Sequence, residues 1–67
     1  MIGLTVNGAV TEVDADATVA SLVALLGRDP RGVAVAVNEA VVPRRAWSAT
    51  ALRPGDRVEV LRAAQGG

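Results

Sequence analysis

Cysteine, histidine, lysine, phenylalanine and tyrosine are all missing from this chain of 67 residues. Without cysteine there are no disulfides and no thiolate metal sites. The loss of histidine as well removes the commonest pairing of nucleophile and neutral-pH general base. No apolar run is long enough to span a bilayer. Residues 1–20 lack the basic start and the long apolar stretch of a secretory signal, so a soluble, cytoplasmic protein is expected. Seven acids balance seven bases, which leaves no electrostatic footprint for nucleic acid or a membrane surface. All the bases are arginine. An activated C-terminal acyl group would therefore find no side-chain amine within its own chain, although codon usage in a GC-rich genome is the simpler cause of the lysine deficit.

What remains is one small domain near the lower size limit for folding without a staple. Half of its residues are hydrophobic, but many of these are alanine, and the large apolar residues are mostly Val and Leu, with a single Trp. A modest core with a stability of several kcal/mol is expected.

Ile2, Leu4 and Val6 alternate with Gly3 and Thr5, and Asn7-Gly8 follows, the strongest short signal for a two-residue hairpin. A second strand over residues 9–13 then pairs Val6 with Ala9, Leu4 with Thr11 and Ile2 with Val13. Asp16 and Thr18 are N-cap candidates. Val19, Leu22, Val23 and Leu26 recur at the spacing of one helix face, giving a helix of about ten residues that Gly27 ends. Pro30 cannot continue it. Residues 33–37 alternate valine and alanine as a strand with the valines inward. Asn38-Glu39 reads as a turn, Ala40–Val42 as a short strand, and residues 44–50 as irregular or a single helical turn. Leu52 plugs the core before the Pro54-Gly55 turn of type II character. In the last strand, from Arg57, Val58 and Val60 share one face and Glu59 and Leu61 the other. The order β-β-α-β-β-β gives an α+β fold, a mixed five-stranded sheet covered by one main helix. The last strand belongs in the middle, beside the first. Residues 1–62 form the domain and residues 63–67 a tail ending in Gly66-Gly67.

A glycine pair contributes little to folding, because glycine loses the most backbone entropy on ordering and buries no side chain. It does offer a slim strand whose terminal carboxylate can enter a narrow site. A frayed end is the competing reading. Asp14, Asp16 and Asp29 fit caps and loops better than an acidic site. Arg44 and Arg45 could clamp a phosphate or a partner acid, or form a solvated basic loop. Trp47 suits packing better than a ligand platform. Ala34, Ala36, Glu59, Leu61, Thr5 and Val10 lie on the face away from the helix. There Leu61 is the expected anchor for a partner, with Ala36 close by and Arg62 as a rim charge.

The layout and the terminal glycines together resemble the β-grasp (ubiquitin-like) fold, and within it the ThiS family, the sulfur carriers of thiamine biosynthesis. The residues that carry the likeness span nearly the whole chain. They are Val6-Asn7-Gly8, Thr18-Val19, Val35-Ala36-Val37-Asn38, Val42-Pro43-Arg44 with Trp47, Pro54-Gly55-Asp56-Arg57-Val58 and Gln65-Gly66-Gly67. The resemblance implies a carrier that is not itself an enzyme. A ThiF-like adenylating enzyme would use MgATP to turn the Gly67 carboxylate into an acyl-adenylate. A sulfur donor enzyme or sulfide would then convert it to a thiocarboxylate, and a ThiG-like thiazole synthase would take the sulfur. Gly66 would allow threading into the site, and the domain itself would bind no cofactor. Carriers for molybdopterin or cysteine synthesis, and protein modifiers of the ubiquitin kind, share the same tail chemistry and stand as alternatives.

Overall fold

The computed structural model describes residues 1–62. Local chemistry sets the first hairpin. Asn7 (φ 52°) and Gly8 (φ 84°) occupy the left-handed region that a type I′ turn needs at both central positions. They join β1 (Ile2–Val6) to β2 (Ala9–Val13), and the pairing Val6–Ala9, Leu4–Thr11, Ile2–Val13 is the expected one. A second turn of the same kind, Asn38 (φ 51°) and Glu39 (φ 73°), joins β3 (Val33–Val37) to β4 (Ala40–Val42). The last strand, β5 (Arg57–Arg62), runs parallel to β1 and antiparallel to β3. The sheet order is therefore β2-β1-β5-β3-β4, with β5 at the centre.

One helix, α1 (Val19–Leu25), covers one face. Thr18 caps it in a reciprocal box: its Oγ1 accepts from the Ser21 N–H (3.2 Å) and its own N–H donates to Ser21 Oγ (2.9 Å). The helix has seven residues, shorter than expected. Leu26, placed by its spacing on the core face, is instead the C-cap and is 38% exposed. The chain leaves the helical path at Gly27 (φ 71°), so no further turn holds Leu26 against the sheet. Val19, Leu22 and Val23 are the residues that α1 buries.

Two 3-10 segments complete the fold, Pro30–Gly32 and Arg44–Ala49. The second carries Trp47 into the core. After it, residues 50–52 run beside the start of α1, with hydrogen bonds from the Val19 N–H to Thr50 O and from the Leu52 N–H to Ala17 O (both 3.0 Å). Leu52 is thereby pinned in the core with Leu4, Val6, Val13, Val35, Val58 and Val60. A type II turn follows, in which Gly55 (φ 85°) takes the position that requires positive φ and the Asp56 N–H reaches Arg53 O (3.2 Å).

Candidate functional site

The central strand β5 leads to the chain end, and the structure holds it along its length. Its β3 side is paired from Val37–Val58 to Val33–Arg62. Its β1 side is paired only as far as Val58, where the Asn7 N–H donates to Val58 O (2.8 Å). Beyond that point β1 turns away, and the Asn7 side chain takes over. Its Nδ2 donates to Val60 O (3.1 Å) and its Oδ1 accepts from the Val60 N–H (2.9 Å). A side-chain amide thus replaces one residue of a strand, satisfying backbone groups that would otherwise lack a partner.

The entry to β5 is held in a similar way. Asp56 is 9% exposed, and its Oδ2 accepts from the Arg53 N–H (2.9 Å). Its Oδ1 accepts from Asn38 Nδ2 (3.0 Å). Asn38 in turn accepts the Arg57 N–H at Oδ1 (2.9 Å) and donates its own N–H to Arg57 O (2.7 Å). Among the described residues no buried side-chain N or O lacks a partner. Sequence reasoning read Asn7 and Asn38 only as turn residues. The available signal was asparagine, in place of glycine, at the first position of both turns.

Leu61 and Ala36 both face away from α1. Leu61 lies opposite Ala34, and Ala36 lies opposite Glu59, so the expected patch assembles. Val10 (84% exposed) and Leu61 (60%) are its largest apolar members together with Val41 (77%), which lies opposite Ala36 and was missed in the sequence. The pairing of Ala36 with Val41 depends on the register of the second hairpin. Arg62 does not join this patch. Successive strand residues alternate faces, so it turns to the α1 side, opposite Val33. There it lines an open cleft with Gly27, Arg28, Asp29 and Gly32. The expectations at Gly66 and Gly67 lie outside the described residues.

The remaining candidates have structural duties. Trp47 is buried and its Nε1–H donates to Val42 O (2.8 Å). Asp29 caps the first 3-10 segment, accepting from the Arg31 N–H (3.0 Å). The Arg31 side chain bonds both of its carboxylate oxygens (3.3 Å each). These bonds, first the guanidinium and then the backbone N–H, hold the Asp29 carboxyl below its ordinary range, and the charge of Arg44 adds to the effect. Arg44 and Arg45 are exposed. Among the described residues no three potential ligands cluster as a metal site, and no helix is long and apolar enough to cross a membrane.

Comparison with known proteins agrees with this architecture. No curated protein matches the chain by sequence. Two solved structures from Geobacter metallireducens are similar to it. A crystal structure described as thiamine biosynthesis protein (ThiS) has 36% identity and a TM-score of 0.85, covering 98% of this chain and 100% of its own. An NMR solution structure described as a thiamine biosynthesis protein has 36% identity and a TM-score of 0.78, covering 98% of this chain and 88% of its own. The model of the ThiS family matches residues 4–67, which, with the ubiquitin-like order of the sheet and the central strand leading to the chain end, establishes that the chain belongs to that family.

Proposed function

We propose that the chain is a sulfur carrier of thiamine biosynthesis, a cosubstrate whose reactive atom is the terminal carbonyl of Gly67. The observation that carries this reading is the placement of β5. It is a central strand, clamped on both sides as far as Val60, and it ends at Arg62, five residues before Gly67. The rigid sheet is a handle, and the residues beyond it are the part that a partner can work on.

The chemistry follows from the terminal group. A carboxylate is a poor acyl donor because its charge and resonance repel nucleophiles, so it first needs a leaving group. A ThiF-like adenylating enzyme supplies one: a carboxylate oxygen of Gly67 attacks the α-phosphorus of MgATP, and pyrophosphate departs. Sulfur, as sulfide or a persulfide on a donor enzyme, then attacks the carbonyl and AMP leaves. Sulfide gives the thiocarboxylate directly, and a persulfide adduct gives it once a thiol cleaves the S–S bond. A ThiG-like thiazole synthase accepts that sulfur. The lack of cysteine is in keeping with this route, since no side chain of the chain can hold persulfide sulfur. Gly66 and Gly67 serve the reaction because any Cβ would widen the segment that must enter a narrow site. The open sheet face around Leu61 and Ala36 is the contact surface for the adenylating enzyme.

Intact-mass measurement after incubation with the adenylating enzyme, MgATP and a sulfide source tests this. The expected gain is the difference between sulfur and oxygen, absent in Gly67→Ala even though that variant melts like the parent. Leu61→Asp should weaken binding to the enzyme with the fold intact. A ladder of large adducts would indicate a protein modifier instead, and an unchanged mass would reject activation altogether.

A further inference from the structure

The charges balance in number, yet the fold sorts them by position. At the end where β5 runs out, Arg62 and Arg28 line one cleft with Asp29. Arg31 lies 3.3 Å from Asp29, and Arg44 is near enough for its charge to act on the same carboxyl. Four arginines therefore gather around the end of β5, with Asp29 the one carboxylate among them. At the other end of the sheet, where β2 finishes and α1 begins, Glu12, Asp14 and Asp16 are all exposed. Val13 lies opposite Ile2, and Val6 lies beside Val58, so four steps along β1 and four along β5 separate the acidic corner from Arg62. At about 3.3 Å per residue this is about 26 Å, well beyond the screening length of about 8 Å at physiological salt. The Met1 amino group and Arg53 offset part of the acidic corner, whereas four arginines against Asp29 leave the root of the tail with the positive excess.

We propose that this basic end steers the chain toward, and docks it on, an acidic protein rim surrounding the channel through which the adenylating enzyme admits the tail. The inference rests on the sulfur-carrier reading. Carboxylates are the fitting counterpart because arginine binds them in bidentate fashion. The phosphates of the nucleotide fit less well, because five residues can carry the reacting end up to about 18 Å from the root, farther than an arginine side chain reaches. The acidic corner, repelled by the same rim, favours a tail-first approach. The apolar open face holds the complex, whereas the basic end governs how fast it forms.

The test is the association rate of the full chain with the adenylating enzyme, followed by stopped flow across ionic strength, together with ATP–pyrophosphate exchange. Arg28→Glu combined with Arg44→Glu should slow association by about tenfold or more at low salt. The deficit should shrink as salt rises, with kcat of exchange at saturating carrier nearly unchanged. Arg53→Glu, on the turn at the far end, makes half the net-charge change and serves as the control, and the melting temperatures of all variants verify the fold. Equal rates for the double variant and the parent at every salt concentration would overturn the proposal, as would an equal loss in Arg53→Glu. Binding of MgATP to the isolated carrier, lost in the double variant, would overturn it in favour of a phosphate site. If the parent chain itself supports no exchange, it is the carrier reading that fails, and the proposal with it.

Discussion

The two hairpins of this protein share a turn type but hold β5 differently. In both, asparagine takes the first left-handed position, and in both its side-chain amide bonds the backbone of the central strand. Asn7 stands at the tail-proximal end and bonds one residue twice, in the manner of a missing strand. Asn38 stands at the entry and joins a network through Asp56 to the type II turn. The first hairpin completes its turn with Gly8, which suits positive φ, whereas the second does so with Glu39, which does not. One turn is relaxed and supports the exit of the strand. The other is strained and supports its start. The same backbone geometry thus serves two purposes, and the side chain at a single position in each decides which.

The sharpest way to break this comparison is Asp56→Ala. It leaves Asn38 Nδ2 and the Arg53 N–H without their charged acceptor in a half-buried setting, at about 1–2 kcal/mol for each bond. A loss of about 2–4 kcal/mol in a domain this small should lower the melting midpoint by about 10–20 °C, read by circular dichroism. A shift of only a few degrees would mean that water replaces the carboxylate.

Asn7→Gly keeps the left-handed turn but deletes both bonds to Val60, at about 1–2 kcal/mol. Hydrogen exchange at the Val60 amide should accelerate more than exchange in β3 near Val35. Uniform acceleration would show a global effect and no local clamp. Glu39→Gly should change stability the other way, by up to about 1 kcal/mol, because glycine accepts φ 73° without the Cβ penalty. The lost ion pair with Arg57 spans 3.7 Å between two exposed side chains and offsets little.

The smallest effect belongs to Asp29. Its carboxyl is held below the ordinary range by Arg31, so the pair stabilises the fold above the unfolded-state pKa and loses that contribution as pH falls through the folded-state value. Both partners are exposed, and Asp29→Asn should shift the acid limb of the melting curve barely, if at all. A marked loss at neutral pH would give the tail-root cleft a structural role that its exposure does not suggest.

Much of this architecture was legible from short-range chemistry. Asn7-Gly8 implied a two-residue loop, and with it the pairing of Ile2 with Val13. Thr18 marked the helix start, and Pro54-Gly55 marked the last turn. The central place of β5 followed from the need to bury Val58 and Val60. Other features were not legible because they depend on what comes near in space. Leu26 has the correct spacing for the core, but the chain departs at Gly27 before it can pack. Val41 joins the open face only through its pairing with Ala36. The face taken by Arg62, by contrast, was legible and was missed, since strand alternation alone sets it opposite to Leu61.

The sequence alone determined the elements, their order, the register of the first hairpin and the family likeness, because turn chemistry and periodicity act over a few residues. Only the tertiary structure decided that two asparagine side chains complete the hold on β5. It also decided that the arginines of three separate segments gather where that strand ends. Hydrogen bonds and fields act across space, and residues such as Asn7 and Val60, far apart along the chain, become partners only once the sheet has formed.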